Sequence, residues 1–133
     1  MNAPSKPDNP GDWLARARSN LLLAETGHQR GVFLEDLCFE AQQAAEKALK
    51  AACVYFEIEF PKTHSLTVLT ALLEHAGVQL PSEVQEADPL TAYAVQARYP
   101  DWDEAVTEAE YQQALSVSRN VIAWAEKIIS GNQ

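Results

Sequence analysis

The stretch that decides the fold is residues 34–56, LEDLCFEAQQAAEKALKAACVYF. Its apolar residues recur at steps of three and four, the spacing that places side chains on one face of an α-helix. Six of the residues in this stretch are alanines, and small side chains allow a neighbouring helix to approach closely. The stretch therefore predicts one long, slim helix from about Val32 to Glu57.

The remaining side of this predicted helix is polar. It carries Gln42, Gln43, Glu46, Lys47 and Lys50. Glu46 and Lys50 are four residues apart in the favourable order for a helical ion pair. The simplest interpretation is a solvated helix face.

Four further helices are predicted around this segment. They run from Asp12 to about Thr26, from near His64 to Ala76, from Asp88-Pro89 to near Tyr99, and from Thr107 to about Ile129. Asp12 and Asp88 are N-cap candidates, Thr63 or Ser65 begins the third helix, and Thr107 forms a capping box with Glu110. No stretch competes as a β-strand, so we expect an all-α, up-and-down bundle of about five helices over residues 12–130.

The last predicted helix has two adjacent apolar stripes, one of which contains Val117, Val121 and Trp124. So broad an apolar face exceeds what one neighbouring helix can cover. Either this helix is central in the bundle, or a second subunit covers part of it.

Composition limits the functional classes. The 133 residues fit one domain, and the net charge of −9 disfavours broad, non-specific binding to nucleic acid. No apolar run reaches the ~18 residues of a membrane span. Residues 1–11 are polar and proline-rich, and we expect a disordered lead without a signal sequence and a cytoplasmic protein.

The two cysteines, Cys38 and Cys53, lie on the same predicted helix, roughly 22 Å apart at 1.5 Å per residue. That separation excludes a disulfide between them, so we expect two buried free thiols. No metal-ligand spacing and no glycine-rich phosphate loop occur, which predicts neither a metal site nor a bound cofactor.

Two segments resemble a known family. Residues 39–51, FEAQQAAEKALKA, followed by Pro61-Lys62-Thr63-His64-Ser65-Leu66, are similar to the "QAAEKALKA…P.THxL" pattern of HEPN domains. Residues 97–101, ARYPD, are similar to a turn in the minimal members of that family. The resemblance implies a helical bundle, like a nucleotidyltransferase substrate-binding subunit, that dimerises. It also implies a minimal nucleotidyltransferase partner in a toxin–antitoxin-like pair.

Many HEPN proteins are metal-independent ribonucleases that use an arginine followed, after four to six residues, by a histidine. No arginine of this chain has a histidine at that spacing. We therefore expect a non-catalytic subunit that dimerises and binds a nucleotidyltransferase. A nucleotide-binding sensor is the alternative, and an atypical ribonuclease is a third hypothesis.

A nucleotide pocket in such a domain would need local positive charge. Each candidate residue also has a structural alternative: a solvated helix face for the lysines, a helix start for the histidine, and an ion pair for the arginine. The candidates for phosphate binding are Lys47, Lys50, Lys62, His64 and Arg98.

A second group of candidates would serve structure or an interface. Its aromatic residues could stack on a base, or they could fill the end of the bundle or a dimer contact. The group consists of Tyr99, Asp101, Trp102, Val117, Val121 and Trp124.

Overall fold

The computed structural model describes residues 9–96 and 105–131, and every regular element in these ranges is helical. The all-α bundle predicted from the sequence is confirmed. The elements are α1 (Pro10–Thr26), α2 (Leu34–Tyr55), α3 (Leu66–His75), α4 (Ser82–Gln85), a 3-10 turn (Asp88–Leu90), α5 (Thr91–Gln96) and α6 (Glu108–Ser130).

Helix α2 is the central element of the bundle. It packs against α1, α3, α5 and α6, and these neighbours bury most of its circumference. Its alanines form the closely packed surface that the sequence predicts, because none of them is exposed. These buried residues are Ala41, Ala44, Ala45, Ala48, Ala51 and Ala52.

The broad apolar face of α6 is covered within the same chain. Helices α1, α2 and α4 all pack against α6. Val117 and Val121 are buried, and Trp124 is half-buried. The Oη of Tyr111 donates a 2.6 Å hydrogen bond to the carbonyl of Ala24 and joins α6 to α1.

Helix α1 runs antiparallel to α6. Arg18 contacts Glu126 near one end of the pair, and Glu25 contacts Arg119 near the other. Both contacts lie at the surface, while Trp13, Leu14, Ala17 and Ala24 on the inner side of α1 are buried. Helix α1 therefore has an inner side in the core and an outer side that no helix of the described ranges covers.

Several predicted helix starts are wrong in detail. Helix α1 begins at Pro10, because the side chain of Asn9, and not that of Asp12, caps the first turn by accepting from the Asp12 N–H at 2.9 Å. Asp88 does not cap α5 with its side chain. It lies inside the 3-10 turn, and its carboxylate accepts from the Thr70 hydroxyl at 3.5 Å.

Other helix boundaries agree with those predicted from the sequence, or they make the helix shorter than predicted. Ser65, rather than Thr63, caps α3, and the predicted capping box of Thr107 and Glu110 is confirmed at the start of α6. Helix α2 is about two residues shorter at each end than expected. The short helix α4 was not predicted, because four residues are too few to show a helical period.

The chain leaves α2 through a tight turn that two backbone hydrogen bonds close. The Ile58 N–H bonds to the Cys53 carbonyl at 2.8 Å, and the Glu57 N–H bonds to the Val54 carbonyl at 3.0 Å. This is a Schellman motif, whose left-handed position favours glycine. Glu57 occupies that position with φ of 59°, whereas Gly77 occupies the matching position after α3 with φ of 94°.

Replacing Glu57 with glycine removes the steric cost of a side chain in a left-handed conformation. We expect Glu57→Gly to raise the free energy of unfolding by about 1 kcal/mol. Gly77→Ala is the matched control and should lower it by a similar amount. Urea unfolding followed by circular dichroism measures both, and a destabilised Glu57→Gly would contradict this account of the turn.

Candidate functional site

The polar residues of α2 form a buried cluster around Glu46. The Glu46 side chain is only 3% exposed, and four donors surround its carboxylate. Lys50 Nζ donates to Oε2 at 2.8 Å. The other oxygen, Oε1, accepts from Gln42 Nε2 at 3.2 Å, Gln43 Nε2 at 3.2 Å and His64 Nδ1 at 2.9 Å. We call these five residues the Glu46 network.

This arrangement corrects the prediction of a solvated face. The Glu46–Lys50 pair is present as expected, but Gln42, Glu46 and Lys50 are all buried. They are buried because α2 has neighbours on nearly all sides. A buried charge must be paired and hydrogen-bonded, and the network meets that requirement.

Lys50 lies between the Glu46 carboxylate and two aromatic rings. Its Nζ is 5.6 Å from the ring centroid of Trp13 and 5.6 Å from that of Phe60. The two rings meet edge to face at 6.1 Å. Cations within about 6 Å of an aromatic centroid are stabilised by the ring quadrupole. The ammonium group is therefore stabilised by the carboxylate and by the two rings.

His64 is fixed to α2 at two points. Its ring Nδ1 contacts the Glu46 carboxylate, and its backbone carbonyl accepts from Gln42 Nε2 at 3.0 Å. An ionised carboxylate can only accept, so Nδ1 must carry the hydrogen in this contact. The His64 side chain is 49% exposed, which leaves Nε2 as the nitrogen available to another molecule.

The donors around Glu46 outweigh the effect of its burial. Burial by itself would raise the pKa of Glu46, but the hydrogen bonds from Lys50 and His64 and the charge of Lys50 lower the pKa below its ordinary value of 4.5. Glu46 is therefore ionised at neutral pH, and its charge is balanced inside the domain.

Lys47 and Lys62 do not join this network through any hydrogen bond in the described residues. Lys47 Nζ donates to Asn20 Oδ1 at 2.8 Å, and Asn20 Nδ2 donates to Glu40 at 2.7 Å, so this side chain links α2 to α1. Burial lowers the pKa of Lys47. Lys62 is exposed two residues before His64.

The structure thus brings together two of the five residues predicted to bind phosphate, Lys50 and His64. Arg98 lies outside the described residues, as do Tyr99, Asp101 and Trp102. Their roles stay predictions.

The two cysteines are free, buried thiols, as predicted. Burial raises the pKa of Cys38 to about 12 and that of Cys53 to about 11, which leaves both unreactive near neutral pH. Across residues 9–96 and 105–131, no group of three histidine, cysteine or acidic side chains is arranged to hold a metal ion. No helix in the same ranges is long and apolar enough to cross a membrane.

The chemistry open to the Glu46 network is narrow. Its carboxylate and ammonium neutralise each other, and its most exposed side chain is the His64 ring, while Gln43 is partly exposed. Sequence reasoning found Lys50 and His64 but missed that Gln42 and Glu46 connect them. The signal was present in the i, i+4, i+8 spacing of Gln42, Glu46 and Lys50, which places all three on one helix face.

Removing the charge of Glu46 leaves Lys50 buried without its counter-ion. We expect Glu46→Gln to lower the free energy of unfolding by about 3 kcal/mol. The matched control is Glu126→Gln, which removes the exposed partner of Arg18 and should cost less than about 1 kcal/mol. Urea unfolding at neutral pH compares the two, and equal losses would contradict the role assigned to Glu46.

The difference in stability between wild type and Glu46→Gln should also depend on pH. The pKa of Glu46 is lower in the folded state than its ordinary value of 4.5. The contribution of Glu46 to stability is therefore present above pH 4.5, and it is lost as the pH falls through the pKa of the folded state. The difference in stability between wild type and Glu46→Gln should therefore shrink from about pH 7 toward about pH 3. A difference that stays constant over this range would contradict the prediction.

Comparisons with known proteins agree with this architecture. The model of the HEPN domain family matches residues 11–128. The comparison with curated proteins found no match. Among solved structures, TT1696 from Thermus thermophilus is similar at 33% identity and a TM-score of 0.75, with 91% of this chain and 98% of that chain covered. The archaeal HEPN homologue ST0689 is similar at 27% identity and a TM-score of 0.71, covering 92% and 98%. With a family match over nearly its whole length and a fold shared with a HEPN homologue, this chain belongs to the HEPN domain family.

Proposed function

We propose that this chain is a non-catalytic HEPN subunit that self-associates and binds a minimal nucleotidyltransferase, as in a toxin–antitoxin-like pair. The observation that carries this proposal is that three large apolar side chains are exposed where the chain passes from α1 to α2. Leu22 and Leu23, near the end of α1, are 58% and 53% exposed, and Phe33, directly before α2, is 72% exposed. Contiguous exposed apolar patches are typical of protein-binding surfaces, and the proposal is that these three side chains contribute to one.

The interior of the domain supports the same proposal. Lys50 and His64 contact Glu46, and Lys47 contacts Asn20, so these cations have partners within the chain. A phosphate would have to compete with those contacts. The missing arginine–histidine spacing also argues against cleavage of RNA.

The partner is tested by co-expression with a small nucleotidyltransferase encoded beside this chain's gene. We expect the two proteins to co-purify, and we expect Phe33→Asp to abolish the complex because it places a charge in an apolar contact. Tyr55→Asp changes an exposed aromatic residue at the other end of α2 and should leave the complex intact. Failure of the wild-type proteins to co-purify would contradict the proposed partner, and retention by Phe33→Asp would contradict the proposed surface.

A nucleotide-binding sensor is the second candidate, and the half-exposed ring of His64 near the exposed Lys62 favours it. Calorimetry with a panel of nucleoside mono-, di- and triphosphates separates the two candidates. We expect no heat of binding, since the charge of Lys50 is already neutralised by Glu46. Binding that is lost in Lys62→Ala and kept in Lys127→Ala, an exposed control on α6, would favour the sensor instead.

A further inference from the structure

The carboxyl-terminal end of α2 carries a second group of exposed aromatic side chains. Tyr55 is the last residue of the helix, Phe56 follows it, and both are exposed. Their rings meet edge to face, with the centroids 5.0 Å apart and an interplanar angle of 81°. The 22 residues of α2 span about 33 Å, which separates these rings from Phe33 at the other end of the helix. The two rings therefore lie outside the surface assigned to the proposed function.

Two carboxylates lie at the same end of α2 as the rings. The turn after the helix is closed by hydrogen bonds from the Glu57 and Ile58 N–H groups to carbonyls of the last helical turn. These bonds keep the chain at the helix end, where the side chains of Glu57 and Glu59 are exposed. We use the term acidic end for the four residues Tyr55, Phe56, Glu57 and Glu59.

The described part of the chain pairs no cation with these carboxylates. No basic residue occurs in the last turn of α2, although the negative pole of the helix dipole lies there. Within residues 9–96 and 105–131, neither Glu57 nor Glu59 forms an ion pair or a side-chain hydrogen bond. Lys62 is exposed three residues after Glu59 and pairs with neither. The acidic end thus combines exposed rings with negative charge that is not paired within these ranges.

A guanidinium group fits this combination of features. It stacks on aromatic rings through the cation–π interaction, and it donates paired hydrogen bonds to a carboxylate. An ammonium group is a more strongly hydrated point charge without a flat face to stack. A phosphate carries the same sign of charge as the carboxylates and is repelled by them. The chemistry of the acidic end therefore selects arginine among the groups that a partner can present.

From this combination we infer that the acidic end of α2 binds an arginine side chain on an exposed segment of a partner protein. The guanidinium lies against the rings of Tyr55 and Phe56 and donates to the carboxylate of Glu57 or Glu59. The inference goes beyond the proposed function, because it gives the subunit a second binding surface at the opposite end of α2 from Phe33.

The test is a titration of the full chain followed by chemical shifts in ¹H–¹⁵N NMR spectra. The probe is a capped pentapeptide of glycine with arginine at its second and fourth positions. We expect saturable shifts at residues 55–59 with a dissociation constant on the order of 1 mM, because the peptide supplies only one contact of a larger interface. The same peptide with citrulline, a neutral analogue of arginine, should not bind there. The lysine peptide should bind about threefold or more weakly than the arginine peptide.

A matched pair of variants separates the acidic end from the overall negative charge of the chain. Glu57→Gln/Glu59→Gln should weaken binding of the arginine peptide by about tenfold. Glu83→Gln/Glu86→Gln removes two exposed carboxylates in and beside α4 and gives the same net charge. This control should leave the affinity unchanged at about 0.15 M salt, because distant exposed charges are screened there.

Two single variants separate binding from folding. Glu57→Gly should stabilise the fold, because glycine suits the left-handed position, and yet it should weaken peptide binding, because one carboxylate is lost. Lower affinity in a more stable protein cannot arise from unfolding. Tyr55→Ala removes one ring and should also weaken binding, and circular dichroism checks that it is folded.

The outcomes decide the inference directly. Absent shifts at residues 55–59 would overturn it, and so would equal binding of the citrulline peptide or equal weakening by Glu83→Gln/Glu86→Gln. Equal affinity for the lysine and arginine peptides would overturn the assignment of arginine. Co-purification with the nucleotidyltransferase is a separate measurement that Glu57→Gln/Glu59→Gln should leave unchanged, so this inference and the proposed function can fail independently.

Discussion

The structure depends on one buried carboxylate. Glu46 lies in the middle of the central helix α2, almost fully removed from water, and its charge must be balanced within the domain. Lys50 provides the balancing charge from one turn further along the helix, and Gln42 and Gln43 add donors from the preceding turn. His64 completes the set from the segment that follows α2. The position of that segment is thereby fixed, because both the ring and the backbone of His64 are bonded to α2.

This interior has a consequence for function. The residues that carry the resemblance to HEPN domains, 39–51 and 61–66, include all five members of the Glu46 network. In this chain the network connects α2 to the start of α3, and the His64 ring is its most exposed side chain. The surface offers a different kind of group, the exposed leucines of α1 and the exposed phenyl ring of Phe33. A rigid interior beside exposed apolar groups fits a subunit that acts through contacts with proteins.

The helices could be predicted from the sequence because apolar residues recur at helical spacing in α1, α2, α3 and α6, and because capping residues mark the starts of α3 and α6. The centre of the bundle could not. Helix α6 has the broader apolar face, yet α2 is the helix with neighbours on nearly all sides, and its polar residues Gln42, Glu46 and Lys50 are buried. Periodicity classes a residue by its own polarity, so it cannot show that polar groups from two segments satisfy one another inside a protein. The same limit applies to Asn9 and Asp12, where two acceptable caps compete and only the geometry of the first helical turn decides between them.

The most direct test of this account is a measurement of the ionisation of Glu46 itself. Selective ¹³C labelling of glutamate, with the Glu46 signal assigned from the Glu46→Gln variant, allows the carboxyl group to be titrated by NMR in the folded protein. The network predicts a midpoint below the ordinary value of 4.5, because four donors stabilise the charged form despite its burial. A midpoint above 4.5 would show that burial prevails over those donors, and it would contradict the claim that a charged Glu46 holds the site together.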